Sequence, residues 1–146
     1  MNHLRNAAGI LLIVSCASVA PGCQRAKPVS QVSGKVTCKT GELPKTAIRM
    51  IRFEPEADST AVVRKGASAS INDDGTFALY TRKEGDGVNH GKYAVTFAFF
   101  KSAMDHQSPL LVKYTQAATT PYHVIVDKDL ADLQFEVETG AGGARR

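Results

Sequence analysis

Apolar and polar residues alternate with a period of two along most of the chain after residue 31. The clearest run is 93–99, where Tyr93, Val95, Phe97 and Phe99 alternate with small or polar residues. Weaker versions of the pattern recur at six other places. Alternation of this kind predicts β-strands, because successive side chains of a strand point to opposite faces. The predicted strands span 32–37, 47–53, 67–71, 77–81, 93–99, 122–126 and 133–137.

The second of these predicted strands breaks the alternation. Ile51 and Phe53 share one face, whereas Ile48 and Met50 share the other. Two interpretations stay open: either both faces of the strand are partly covered, or a β-bulge changes its phase.

Turn signals separate most of the predicted strands. The strongest is the sequence Asn-Asp-Asp-Gly at 72–75, because glycine after aspartate readily takes the positive φ of a tight hairpin. Seven short strands with turns between them predict an all-β domain, a seven-stranded antiparallel Ig-like β-sandwich at 31–138. The glycine-rich residues 139–146 are predicted to be a disordered tail.

One connection is unusually long for a sandwich. Residues 101–121 include the apolar run 109–114, so we expect this segment to lie along the domain and regard it as a candidate binding surface. Phe100 precedes the segment and Tyr114 lies within it. Together with Tyr80 they form a candidate patch for stacking sugars or binding a protein partner.

The N-terminal residues resemble a bacterial export signal. A basic residue near the start is followed by an apolar stretch at 7–20, shorter than the roughly 20 residues of a membrane-spanning helix. The pattern favours a lipoprotein signal at 1–23 with lipid on Cys23, and then a polar tether at 24–30. Modification of Cys16, or no lipidation, are the alternatives. Gln24 follows Cys23 instead of aspartate, which favours a lipid-anchored position at the outer membrane or cell surface.

The three cysteines are too few for a disulfide scaffold. If Cys23 carries lipid, Cys38 is the remaining thiol of the mature chain. If Cys16 is modified instead, Cys23 and Cys38 are able to pair in an oxidising compartment. Cys38 is not favoured as a catalytic nucleophile, because local spacing places no histidine beside it.

The net charge of +4 is a property of the chain ends. Of the 18 basic residues, five lie outside 31–138, which leaves 13 against 14 acidic residues in the predicted domain. The domain is therefore close to neutral. Tryptophan is absent and no RNA-binding aromatic signature occurs, so nucleic acid is not an expected partner.

Motifs for catalysis and cofactors are also missing from the sequence. Asp73 and Asp74 resemble the start of a calcium loop but lack its spacing and distal glutamate, which favours a simple turn. Glu84 and Asp86 lie in a glycine-containing loop that is more typical of a solvated connection than of a cation site. No phosphate-binding loop or nucleophile elbow is present. The sequence thus predicts no metal, no cofactor and no enzyme activity.

Several short motifs resemble carboxypeptidase regulatory-like domains, also called transthyretin-like or prealbumin-like modules. The motifs are Val-Ser-Gly-Lys-Val-Thr at 32–37, Leu-Pro at 43–44, Phe-Glu-Pro at 53–55, Asp-Gly-Thr-Phe at 74–77 and Gly-Lys-Tyr-Ala-Val at 91–95. Lys-Tyr-Thr at 113–115 and Thr-Thr at 119–120 are similar to the small lipoproteins of planctomycete-type bacteria. The resemblance covers about 31–138, and Glu42 stands where such domains often have glycine.

This resemblance implies a transthyretin-like sandwich with a structural or protein-interaction role; a carbohydrate-binding module is the alternative. The implied partners are the membrane, through the lipid, and an unknown envelope protein or glycan. The family also includes hydroxyisourate hydrolases, which need several histidines and a Tyr-Arg-Gly-Ser ending. That ending is absent, and His90, His106 and His123 are not expected to converge.

Overall fold

A computed structural model describes residues 28–105 and 107–140. The predicted signal peptide, Cys16, Cys23, His106 and residues 141–146 lie outside these ranges. Within them, no helix is both long and apolar enough to cross a membrane.

Nine strands and one short 3-10 helix make up the regular structure of the described residues. The strands are β1 (Val29–Ser30), β2 (Val32–Cys38), β3 (Ile48–Pro55), β4 (Ala67–Ser70), β5 (Thr76–Ala78), β6 (Val88–Asn89), β7 (Gly91–Phe100), β8 (His123–Val126) and β9 (Leu130–Val137). The 3-10 helix is Val112–Tyr114.

The prediction of seven strands was two too low. The predicted seven correspond to the longer strands, and the two additions, β1 and β6, contain two residues each. They pair with each other, and strands so short show no alternation. Val29 and Ser30, which the sequence assigned to the tether, therefore belong to a sheet. At the other end, Thr139 forms a bridge with Leu110 instead of starting a free tail.

The longer strands form two sheets, with strand orders β4-β3-β7-β8 and β5-β2-β9. All pairs are antiparallel except one: β2 and β9 run parallel. The prediction of an entirely antiparallel sandwich was therefore wrong. Alternation determines which face of a strand is buried, but it carries no information on the direction of the neighbouring strand.

The parallel pair contains an irregularity that requires glycine. The register shifts between Val32 and Gly34, and Asp132 on the opposite strand has a φ of 61°. A Cβ atom at Gly34 would lie 2.2 Å from the carbonyl oxygen of Leu133. A residue with any side chain would push the two strands apart at this point.

The two sheets pack face to face through aromatic side chains. Phe135 on β9 lies 6.4 Å from Phe53 on β3 and 5.9 Å from Phe97 on β7, measured between ring centroids. The buried apolar residues of both sheets form a single cluster. The all-β prediction is confirmed, and the packing is consistent with a β-sandwich.

The break in the alternation of β3 does not come from a bulge. The pairing of this strand with β7 runs without a register shift from Ile48 to Pro55. Ile51 and Phe53 are fully buried, while Ile48 and Met50 are half-buried on the opposite face. Both faces of this strand are therefore partly covered.

The long segment 101–121 lies against the domain, as the sequence predicts. Leu110 and Tyr114 join the core cluster, and the Thr120 hydroxyl donates a hydrogen bond of 2.6 Å to the Val95 carbonyl. The segment thus covers the edge of β7 from Val95 onward, next to Ala94, where the pairing with the first residue of β8 stops.

The sandwich has two distinct ends. At the proximal end lie Pro28, the start of β7 and the end of β8, because the Pro28 carbonyl accepts a hydrogen bond from the His90 amide. At the distal end lie Phe100, Ile48 and the turn 72–75. Since β7 has ten residues, the two ends are on the order of 30 Å apart.

Candidate binding groove

A cleft of about 770 Å³ lies at the distal end. Four segments form its walls: the second half of β2, the loop 41–46, the start of β3 and the turn 72–75. None of the three aromatic residues singled out from the sequence lies in this groove.

The turn 72–75 forms as predicted and supplies one wall, although the strands on either side of it, β4 and β5, belong to different sheets. The amide of Asn72 donates to the Thr76 carbonyl at 2.9 Å, and Gly75 has a φ of 86°. The Asp74 carboxylate accepts hydrogen bonds from both the amide and the hydroxyl of Thr76. These bonds, the amide first, hold the pKa of Asp74 below its ordinary value. The turn therefore presents an ionised carboxylate on a fixed backbone.

Charges of both signs line the groove in equal number. The basic side chains are Lys35, Lys45 and Arg49, and the acidic ones are Glu42, Asp73 and Asp74. Their arrangement suits a ligand that itself carries both charges, because neither sign dominates.

The ion pairs of the groove differ in how firmly they are held. Arg49 pairs with Asp73, and the arginine side chain is only 15% exposed. Lys45 and Glu42 are 3.5 Å apart, with both side chains more than 85% exposed. Pairs this exposed contribute little to stability and exchange partners easily. Lys45 and Glu42 are therefore available to a ligand.

Cys38 also lines the groove. Its sulfur lies 3.2 Å from the hydroxyl oxygen of Thr40, and the residue is half-buried. The described lining of the groove includes no histidine, so a Cys–His pair is not formed there. The arrangement is suited to binding by charge and shape.

A second polar cluster lies at the proximal end, on the outer face of the four-stranded sheet. The Glu56 carboxylate holds two partners: the Lys92 ammonium at 2.8 Å and the His123 Nδ1 at 2.6 Å. Lys92 also contacts Asp58 at 2.9 Å. Hydrogen bonds from Lys92, and then from His123, lower the pKa of Glu56, while its bond to Glu56 raises the pKa of Lys92.

Sequence reasoning missed this cluster. Its members come from the segment after β3, from β7 and from β8, and 67 residues separate Glu56 from His123. The available signal was weak: Lys92 immediately precedes the predicted strand 93–99, and His123 lies within the predicted strand 122–126. His90, by contrast, bonds to the Ser30 hydroxyl at 2.8 Å.

The predicted aromatic patch does not form. Tyr114 is 3% exposed, with its ring stacked on Tyr122 and its edge against Phe97, so it offers no surface for a sugar. The prediction for this residue was wrong, because an isolated tyrosine in an irregular segment shows no periodicity that reveals burial.

Tyr80 and Phe100 are both half-buried and lie far apart. Tyr80 bridges to Ser68 at the edge of β4, so two strands, β4 and β3, lie between Tyr80 and β7. Phe100 ends β7 four residues beyond the row of paired residues that contains Ser68. From ordinary strand spacings, their Cα atoms are on the order of 20 Å apart. They do not make one stacking surface.

The loop that contains Glu84 and Asp86 is organised by its own backbone. The Asp86 carboxylate accepts hydrogen bonds from the amides of Thr81, Arg82 and Lys83, and the first of these is the main cause of its lowered pKa. Across 28–105 and 107–140, no group of three or more His, Cys, Asp or Glu residues is placed to hold a metal ion.

Comparison of the chain with protein-family models, with curated proteins and with solved structures returned no match. The resemblance to carboxypeptidase regulatory-like domains therefore stays a prediction.

Proposed function

We propose that this chain is an exported, lipid-anchored, non-enzymatic module of the cell envelope that binds a partner protein in its distal groove. The lipoprotein-like N-terminus supports the anchor, with Cys23 as the modified residue. Binding by charge and shape is supported by a groove whose described lining surrounds Cys38 with charged side chains of both signs and includes no histidine.

One observation carries the proposal: the groove at the end opposite Pro28 has three basic and three acidic side chains, of which Lys45 and Glu42 are loosely paired. A lipid on Cys23 would place the proximal end nearest the bilayer, so the groove would face away from it. The ligand that fits is a polypeptide segment with charges of both signs, since such a segment can replace the exposed pairs by its own.

We also propose that the seven longer strands correspond to a carboxypeptidase regulatory-like, transthyretin-like sandwich, to which β1 and β6 are additions. The support is the order of the short motifs along the chain, several of which fall at strand ends and turns. The turn Asp-Gly-Thr-Phe, for example, joins the hairpin glycine Gly75 to the buried Phe77.

The alternative, a carbohydrate-binding module, needs exposed aromatic rings close to one another. Because Tyr114 is buried and Tyr80 and Phe100 are well separated, no observation favours it. Glycan binding is instead tested directly on a glycan array.

The test is cross-linking in intact cells with three versions of the full chain. The wild type is compared with a groove variant, Lys35→Glu with Lys45→Glu, and with a matched control, Lys83→Glu with Lys128→Glu. All four lysines are exposed and only the first two line the groove, so both variants change the charge equally. We expect one protein adduct that the groove variant loses and the control keeps.

An adduct that survives in the groove variant would contradict binding in the groove. Saturable binding on a glycan array that is lost in Tyr80→Ala would support the carbohydrate-binding alternative instead.

The anchor is tested separately by labelling growing cells with an alkyne fatty acid. We expect label on the wild type and none on Cys23→Ala. Label that persists in Cys23→Ala would move the modification to Cys16 or elsewhere.

A further inference from the structure

Exposed apolar side chains collect at the proximal end. Val62 is 84% exposed and Ile125 is 65% exposed, and both line one cleft of about 290 Å³ that also contains Pro28. Val29, next to Pro28, is half exposed. Exposed apolar residues grouped in this way mark a contact surface more often than isolated ones do.

The loop that carries Val62 is held in place by the backbone around it. The Arg64 guanidinium donates a hydrogen bond of 2.8 Å to the Ala57 carbonyl, and the Ser59 hydroxyl accepts one from the Lys92 amide at 2.9 Å. Val62 is therefore presented to solvent by a fixed loop, and Lys65 is exposed three residues later.

The described chain begins at this same surface. Cys23 is the fifth residue before Pro28, and five residues span at most about 18 Å when fully extended. A lipid on Cys23 would therefore keep the Pro28 cleft close to the headgroups. Two exposed apolar side chains are then enough to set the orientation of the domain on the bilayer, because the anchor already confines the domain to the membrane.

We propose that the proximal end lies on the bilayer surface with Val62 and Ile125 inserted between lipid headgroups. This inference rests on the lipid anchor of the proposed function and adds a defined orientation to it. Acidic groups at this end, Asp58 and Asp127, line the same cleft, and Asp58 is paired with Lys92. Insertion of apolar side chains, and not attraction to anionic lipid, is therefore the expected cause of the contact.

The experiment uses the absence of tryptophan from the chain. Val62→Trp places a single tryptophan at the proximal end, and Met104→Trp is the matched control in the loop after β7, at the distal end, where Met104 is 88% exposed. Both replaced side chains are exposed, so neither change disturbs the core. The full lipidated chain is reconstituted in phosphatidylcholine vesicles with or without brominated acyl chains.

Because interfacial side chains reach ~5–10 Å into the boundary between headgroups and acyl chains, we expect brominated lipid to reduce Val62→Trp emission by about half. Met104→Trp emission should not change. The same results are expected when phosphatidylglycerol is added to the vesicles, since the contact does not depend on lipid charge.

Two failures are distinguishable in this design. If the chain does not float with vesicles, the anchor is wrong and the orientation falls with it. If the chain floats but both tryptophans respond alike, the anchor stands and the proposed orientation is overturned.

Discussion

The two ends of the sandwich use the same kinds of side chain in opposite ways. At the proximal end, Glu56 is 15% exposed and holds Lys92 and His123 at 2.8 and 2.6 Å. At the distal end, Glu42 and Lys45 are almost fully exposed and 3.5 Å apart. Both ends contain carboxylates and lysines, yet only at the proximal end do several of them share partners in one network of ion pairs.

This difference shows how a small sandwich can divide its surface. The Glu56 cluster joins the loop after β3 to β7 and β8, so its charges are used within the molecule. At the distal groove Arg49 is paired with Asp73, but Lys45 and Glu42 are solvated and remain available to a ligand. A count of charged residues would not separate the two ends; their exposure and distances do.

The largest effect is expected from loosening the aromatic packing between the two sheets, on which both ends depend. Phe135 contacts aromatic rings of both sheets, so Phe135→Ala should cost about 3–5 kcal/mol of unfolding free energy, through lost burial and a cavity. Urea denaturation measures this. Val112→Ala, at an exposed position, is the control and should change stability by less than about 0.5 kcal/mol. Equal midpoints for both variants would contradict the assigned core.

A smaller effect is expected at the turn that forms a wall of the groove. Gly75 and Gly85 have nearly equal positive φ values of 86° and 84°, but a Cβ at Gly75 would lie 2.3 Å from the Val36 carbonyl oxygen, and one at Gly85 would meet nothing. Alanine in this conformation costs about 1–2 kcal/mol at either site. The loss of stability should be larger for Gly75→Ala than for Gly85→Ala, because the neighbours of Gly75 must also move. Similar losses from both would show that the turn is not tightly packed.

The contrast between the networked proximal charges and the exposed distal pair predicts that losing one lysine changes the melting temperature differently at the two ends. Lys92→Met leaves Glu56 and Asp58 without their shared cation, so we expect a lower melting temperature. Lys45→Met removes one exposed pair and should leave the melting temperature nearly unchanged. Calorimetry of both variants checks this; a larger loss in Lys45→Met would reverse the assignment of the two ends.

The smallest effect is a pH dependence at the proximal end. The folded-state pKa of Glu56 lies below its ordinary value of 4.5, so its contribution to stability is present above that value and lost as pH falls through the folded pKa. The difference in melting temperature between wild type and Glu56→Gln should therefore shrink as pH falls below about 4.5. The melting temperature of Glu42→Gln, at the distal end, should follow that of the wild type at every pH. A constant gap for Glu56→Gln would contradict the role of its ion pairs.

Much of the strand content was predictable because burial follows alternation. Tyr93, Val95, Phe97 and Phe99, chosen from their spacing, are all buried on the inner face of β7. The turn at Gly75 was predictable because few residues other than glycine tolerate its backbone conformation. Local sequence rules were sufficient wherever the structure depends on neighbours along the chain.

Features that depend on residues far apart in sequence could not be predicted. The parallel pairing of β2 with β9 joins an N-terminal strand to the C-terminal strand of the domain, and no local sequence pattern predicts it. Tyr114 is buried because the 101–121 segment folds over β7, and the Glu56–His123 contact needs the order of three strands. The distal groove was missed for the same reason, since its walls come from four separate segments.

The most direct test of this division is a photo-activated cross-linking residue placed at position 45 or at position 62 of the full chain in intact cells. The prediction is a protein adduct from position 45, in the distal groove, and a lipid adduct from position 62, at the proximal end. Identical products from both positions, or protein from 62 and lipid from 45, would contradict it.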